Sequence, residues 1–312
     1  MTNLDLISVD WGTTSFRAAL VGSDGRIVDR RAGAEGILAV PDGDFRSVLE
    51  RYVVDWRVAR PTAQIVMSGM IGSRQGWVEA PYAATPASLD VVARDMRSID
   101  AGPVLGAVLV VPGVAMSSNG LAPDVMRGEE TQVFGALGDG ERDRRLFVLP
   151  GTHSKWVDVR DGAIAEFATY MSGEIFAALT SHTILGRLMA DAKDDDRSGY
   201  ADGVRAGAAD GHAGDLLNRV FWARTHGLVD GWPGGRLKSF LSGLLIGAEL
   251  KAASRRADGA TTFTIIGSDT LSTLYLEAAR VLGMEAVVAE PDRAVAGQIL
   301  LLRARKRLEH GA

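Results

Sequence analysis

Hydrophobic and polar positions follow two rhythms along this chain, and the order of the elements they predict comes twice. Residues 4–9 form a largely apolar run closed by Asp10 and Gly12, the pattern of a buried strand. Residues 16–21 predict a second strand. The turn Gly22-Ser23-Asp24-Gly25 returns the chain as a third, 26–31, so strands two and three make a hairpin. Val48, Leu49, Tyr52, Val53 and Trp56 then share one face of a helix, with Pro61 just beyond its end. A short strand is predicted at 64–68. Thr85 and Pro86 predict the cap and first turn of a helix that turns Leu89, Val92 and Met96 inward, and 104–111 reads as another buried strand.

At residue 145 the order begins again. An apolar strand at 145–149 runs into Gly151-Thr152, a second at 155–159 meets Asp161-Gly162, and a third returns at 163–169. Helices are predicted at 173–189, 215–226 and 237–253. They are followed by a strand at 262–266, a helix at 270–282, a strand at 285–289 and a last helix from Asp292. Gly227 and Gly283 read as helix stops. The stretch 190–213, rich in Asp, Gly and Ala, reads as an exposed insertion. One such half is a common α/β layer domain that implies no function. Two in tandem, each opening on a Gly-Thr loop, predict domains at 1–138 and 139–312 that grip a nucleotide triphosphate from both ends.

Composition narrows the setting. With 312 residues, 46% apolar and 23% charged, the chain is globular and has room for two cores. A net charge of −5 and a pI near 5.6 argue against a nucleic-acid surface. The absence of cysteine removes disulfide and thiolate chemistry and fits a reducing compartment. No signal peptide is legible at the N-terminus, and the greasiest run, 104–116, is too short for a membrane span. The cytoplasm is the expected location. A homo-oligomer is compatible with the sequence, which does not specify one.

Five segments carry candidate chemistry. In "DWGTTSFR" a strand ends on the carboxylate of Asp10. Gly12 then admits a phosphate close to the backbone, and Thr13, Thr14 and Ser15 add donors. Asp10 would hold Mg²⁺ through water; otherwise the segment is a hairpin turn with an Asp cap. "LPGTHSKW" repeats the geometry with Gly151, Thr152, His153 and Ser154, and Lys155 adds a charge. In "MRGEETQVFGAL" Glu129 and Glu130 open a helix, where the dipole alone would favour them. Helical neighbours point about 100° apart, so one of the two faces a ligand. Gly267, Ser268 and Asp269 join a buried strand to a helix, as in segments that approach a flat or phosphorylated ligand, or as a plain cap. Gly243 and Gly247, four apart on one helix, suit either nucleotide contact or helix packing. In "MSGMIGSRQGWVEAPY" Arg74 offers a fork for a carboxylate, and Gln75 and Glu79 suit hydroxyls. A solvated surface arginine would look the same.

Six phrases in order, "DWGTTSFRAALV", "SGMIGSRQGW", "RGEETQVFGAL", "LPGTHSKWV", "TYMSGEIF" and "IIGSDTLSTLYLEAARVLG", cover essentially the whole chain. They resemble the 2-dehydro-3-deoxygalactonokinase family of the actin-like ATPase superfamily. That resemblance implies an α/β fold of two RNase-H-like lobes with a central cleft. It also implies phosphorylation of the 6-hydroxyl of 2-dehydro-3-deoxy-D-galactonate by Mg-ATP, in galactonate or galactose breakdown. By resemblance Asp10, Gly12, Thr13 and Thr14 match the first phosphate loop, Gly151 and Thr152 the second, and Gly267 with Ser268 the adenosine segment. Related carbohydrate kinases place a Gly-Asp-Gln segment where Gly128-Glu129-Glu130 stands here, which implies Glu129 as the base with Glu130 its competitor and Glu174 the next candidate. The loops around Arg74 and 171–174 would select the sugar. A kinase for another small carbohydrate, or a non-kinase actin-like ATPase or sugar sensor, is the alternative. A chaperone would need a peptide-binding domain and a regulator a DNA-binding one, and the chain has room for neither.

Overall fold

The computed structural model describes residues 5–117, 122–190, 192, 195–212 and 215–311. The chain forms two compact units, one of residues 1–144, 159–167 and 290–312, the other of 145–158 and 168–289. The sequence, cut at 138, gives the last helix to the second half; its contacts lie in the first unit.

In the first unit β1 (Leu6–Trp11), β2 (Phe16–Val21) and β3 (Ile27–Gly33) precede α1 (Phe45–Ala59) and β4 (Gln64–Ser68), close to the predicted positions. Next come β5 (Ala83–Ala84), β6 (Ala87–Ser88), α2 (Leu89–Arg94), β7 (Arg97–Asp100), β8 (Ala107–Val110), β9 (Val114–Met116), β10 (Asp124–Met126) and α3 (Glu129–Leu137). The sheet order is β3-β2-β1-β4-β8-β7, with β1, β4 and β8 parallel. Successive strand residues face opposite ways, so Ile7, Val9 and Trp11 enter a core with Val48, Leu49, Val53 and Trp56 of α1. Ser8 and Asp10 are left on the other face. Two expectations are corrected here. Ser88, not Thr85, caps α2: its Oγ accepts from Val91 N at 3.3 Å, three residues on, where an N-cap side chain reaches. β7 was not expected, because its Arg-Ser-Ile-Asp sequence has little apolar content and forms a mostly exposed edge.

The rest of the chain order is β11 (Arg145–Leu149), β12 (Ser154–Arg160), β13 (Ala163–Tyr170), α4 (Ser172–His182), α5 (Arg197–Ala208), α6 (Asp215–Val229), α7 (Gly234–Arg256), β14 (Thr262–Ile265), α8 (Asp269–Val281) and β15 (Glu285–Val288), all in the second unit except the end of β12 and the start of β13, which fall within 159–167 of the first. The sheet runs β6-β13-β12-β11-β14-β15, and its last five strands repeat the topology of β3-β2-β1-β4-β8. The predicted insertion at 190–213 is in part the helix α5; residues 191, 193, 194 and 213 lie outside the described ones. Its glycines explain the misreading. A Cβ on Gly203 would lie 2.0 Å from Phe240 O, and one on Gly243 2.1 Å from Tyr200 O, so α5 and α7 touch backbone to backbone. Gly243 and Gly247 therefore serve helix packing. Gly227 does not stop α6, which runs on to Val229.

The chain ends in α9 (Arg293–His310), whose Gln298, Leu301, Leu302 and Ala304 are buried. It crosses α3 through Gly135 and Gly297, where a Cβ would meet the partner helix's carbonyl oxygens at 1.9 and 1.8 Å. Among the described residues no helix is long and apolar enough to cross a membrane.

Candidate active site

Three chain segments converge in the first unit. The loop after β1 closes on itself through Gly12 N to Ser15 O at 2.9 Å. It is clamped from outside by Ile37 N to Gly12 O (3.0 Å) and by Trp11 Nε1 to Glu35 O (2.8 Å). A Cβ on Gly36 would lie 2.3 Å from Thr13 O, so the clamp needs a glycine. Thr13 and Thr14 stay exposed. Gly69, at the end of β4 with φ of 92°, rests on Trp11 O and the Asp10 carboxylate. Gly128, with φ of 107°, rests in turn on Gly69 and opens α3. Both angles favour glycine. The result brings Asp10, the 12–15 loop and the two glutamates of α3 to one end of the sheet.

The glutamates divide as helix geometry demands. Glu129 is partly exposed, and its Oε2 accepts from Arg127 N at 2.9 Å. Glu130 is fully buried, accepting from Gly128 N at 2.7 Å and Thr131 Oγ1 at 2.8 Å. Burial, and then the charge of Glu129, push the Glu130 carboxyl up to about 8. Asp10 lies 3.5 Å from Arg17 and is a quarter exposed. Loss of water still outweighs Arg17 and holds Asp10 above the ordinary carboxylate range. It opens on a cavity of about 390 Å³ that Arg17, Arg30, Gln132 and Arg293 also line, a positive setting for anionic groups.

Arg74 and Gln75 are exposed on the loop after β4; the Arg74 side chain is 86% exposed, 3.4 Å from Glu79. Arg127, which sequence reasoning passed over, is buried. Its Nη2 donates to Ala80 O at 2.8 Å and its guanidinium lies 4.3 Å over the Tyr82 ring. Nothing in the sequence marks it beyond its place two residues before Glu129.

In the second unit Glu174 N donates to Thr152 O, and a Cβ on Gly173 would lie 2.3 Å from Gly151 O. The start of α4 therefore rests on the Gly151-Thr152 loop. Glu174 pairs with His153 at 2.5 Å, both half exposed, so two residues read separately from the sequence form one cluster. Beneath the loop, Ser154 Oγ meets Tyr275 OH at 2.9 Å. Tyr275 OH and Trp156 Nε1 both donate to buried Glu249 Oε1, at 2.7 and 2.8 Å. Burial raises Glu249 above the usual carboxylate range. Gly267 and Ser268 lead exposed into α8, where Ser268, not Asp269, is the cap. A cavity of about 400 Å³ lies beside them, lined by Tyr200, Lys238, Ser242, Thr270 and Glu277. A ring, hydroxyls and a lysine from three helices suit a nucleoside. Their scatter over nearly eighty positions hid them from the sequence.

No group of three or more His, Cys, Asp or Glu side chains among the described residues is arranged to cage a metal. One carboxylate beside a loop of amides and hydroxyls fits a Mg²⁺ ion that arrives on phosphate oxygens and keeps its waters.

Two sheets of one topology, each opening on a Gly-Thr loop, define the actin-like class to which ATPases and sugar kinases belong. The family model of 2-keto-3-deoxy-galactonokinase matches residues 10–301, and the chain belongs to that family. It is 36% identical over 290 residues to "Probable 2-dehydro-3-deoxygalactonokinase DgoK1" of Rhizobium meliloti (strain 1021), covering 92% of this chain and 93% of the relative. It is 30% identical over 289 residues to the 2-dehydro-3-deoxygalactonokinase of Escherichia coli (strain K12), covering 92% and 94%. A crystal structure of a protein from Sinorhizobium meliloti assigned to the 2-dehydro-3-deoxygalactonokinases superposes with a TM-score of 0.87 at 34% identity. That match covers 97% of this chain and 99% of the other.

Proposed function

We propose that this protein transfers the γ-phosphoryl group of ATP to the 6-hydroxyl of 2-dehydro-3-deoxy-D-galactonate, a step of galactonate breakdown. Family membership supports the substrates. The observation that carries the chemistry is the convergence of Asp10, the 12–15 loop and the start of α3 through Gly69 and Gly128.

In this reading the amides and hydroxyls of Gly12, Thr13 and Thr14, and in the second unit of Gly151 and Thr152, donate to phosphate oxygens. His153, held by Glu174, stands beside these groups on the same loop. Tyr200, Lys238 and Thr270 with Gly267 and Ser268 hold the adenosine. Asp10 would hold Mg²⁺, which when bound would neutralise charge on the phosphates. Arg74 and Gln75 reach the hydroxyl groups of the sugar acid. Glu129, partly exposed, takes the proton of the attacking hydroxyl as its oxygen bonds to the γ-phosphorus and the bond to the β–γ bridging oxygen breaks. Such transfers depend mainly on position and electrostatics, so an ordinary carboxylate is a sufficient base. Glu174 belongs with the second loop, and we assign it there rather than to the base.

A coupled assay of ADP release across a panel of 2-keto-3-deoxy sugar acids tests the reading. The galacto acid should give the highest kcat/KM, with little ATP hydrolysis in its absence. Hydrolysis at the same rate with and without every sugar acid would overturn it.

A further inference from the structure

The guanidinium of Arg127 is a charge out of water with most of its donors idle. The residue is 8% exposed. One nitrogen, Nη2, donates to Ala80 O, and the face of Tyr82 covers the group at 4.3 Å. Among the described residues Nε and Nη1 are buried with no acceptor, which leaves three N–H groups unpaired. Nη1 points at Gly72, where a Cβ would stand 3.0 Å away. The next residue, Ser73, also has a buried hydroxyl without a partner. A buried cation left uncompensated is expensive, and such a group calls for an explanation.

Position supplies one. Ala80, Tyr82 and Gly72 all belong to the loop that carries Arg74 and Gln75, and the backbone N of Arg127 holds the Glu129 carboxylate at 2.9 Å. The cation therefore sits under the acceptor loop and beside the base. Arg74, the arginine visible in the sequence, is 86% exposed with Glu79 near it, so water and a carboxylate screen its charge. We propose that Arg127 is the specificity-determining cation of the acceptor site: its unscreened field selects an acceptor that carries a carboxylate over its neutral counterpart. The proposal rests on the sugar-acid reading above. It asks for no direct contact, which the covering loop would not allow. Unit charges about 8 Å apart at an effective dielectric of about 20 give about 2 kcal/mol, or roughly 30-fold in preference.

The test compares kcat/KM for the 2-keto-3-deoxy acid with that for its primary amide, which keeps the carbon skeleton and hydroxyls and loses the charge. Any general damage is common to both acceptors and cancels in the ratio. Arg127→Met should lower the acid-to-amide ratio by roughly 10- to 30-fold, and Arg127→Lys, which keeps the charge, by about 3-fold or less. Arg74→Met should also change it by about 3-fold or less. If Arg127→Met does not fold, Arg127→Gln, which can still donate to Ala80 O, is read in the same way. A wild-type preference for the acid that survives both neutral variants, or that collapses in Arg74→Met instead, overturns the assignment alone. A wild type that phosphorylates neither acceptor overturns the functional reading and this assignment with it.

Discussion

The two Gly-Thr loops share a sequence pattern and a sheet topology, yet they are held in place by different means. The first is fixed by main-chain bonds to the 35–37 segment and presents charge at its edge, with Asp10 at the strand end and Glu129 nearby on α3. The second has Pro150 at its strand end, and no carboxylate there. It is held by the start of α4 against Gly151 and by a buried chain of hydroxyls running from Ser154 to Glu249. Equal folds thus leave room for unequal work. In the proposed reading the first loop carries the groups that move protons and meet a metal, while at the second the carboxylate of Glu174 is paired with His153 and the loop offers phosphate donors.

If that contrast is right, variants at the first loop should lose turnover and variants at the second should lose ATP affinity. Glu129→Gln is the largest expected effect. It removes the proposed base and should lower kcat by about 10²- to 10⁴-fold with ATP KM and melting temperature nearly unchanged. Glu130→Gln should keep most of the turnover, because a fully buried side chain bonded to Gly128 N does not reach a substrate. Stopped-flow or steady-state kinetics of the pair decide it, and the reverse pattern would exchange their roles.

Asp10→Asn should follow, at about 10²- to 10³-fold in kcat at saturating Mg²⁺. It should not lower the melting temperature, since burial already disfavours the charge of Asp10. Near-normal turnover would remove Asp10 from the metal. Gly173→Ala tests the other loop. Its new methyl group would stand 2.3 Å from Gly151 O and must push that backbone aside. ATP KM should rise about 10-fold while the KM for the sugar acid moves by less than 3-fold, as for the loss of one or two hydrogen bonds. An equal rise in both would break the contrast.

How much of this was legible follows from what each residue advertises. Asp10, Gly12 and Gly151 stand where an apolar strand stops, a boundary that any reading of periodicity finds. The choice between Glu129 and Glu130 was half visible, because 100° of helical rotation says that one is turned away but not which. Arg127 was invisible, since burial by Ala80 and Tyr82 depends on a loop more than forty residues earlier. Helix α5 was lost to its own composition: Gly199, Gly203 and Gly207 lower helix propensity in isolation and are tolerated because α7 lies against them. Their spacing of four was the signal that could have found it.

The smallest expected effect is a slope in stability, and it separates Glu130 from its neighbour by thermodynamics rather than rate. The Glu130 carboxyl titrates at about 8 in the folded chain against an ordinary value of 4.5. Below pH 4.5 both folded and unfolded chains hold this proton, and its contribution is fully present. As pH rises from 4.5 to about 8 the unfolded chain gives the proton up while the folded chain keeps it, so stability falls across that window. Each pH unit is worth at most about 1.4 kcal/mol, and the whole window on the order of a few kcal/mol. Asp10 and Glu249 are raised as well and add slopes of the same sign, so the wild type alone does not isolate Glu130. The measurement is the difference in melting temperature between wild type and Glu130→Gln at pH 5, 6, 7 and 8. Carboxyls held low, such as Asp55 at about 2 beside Arg31, have finished titrating below this range. Gln can still accept from Gly128 N, and the Thr131 hydroxyl can turn to accept its amide, so the variant should fold. Its stability should gain on the wild type by several degrees between pH 5 and 8. Parallel curves would mean that Glu130 is ionised throughout the range, and the division of labour between the two glutamates would then rest on kinetics alone.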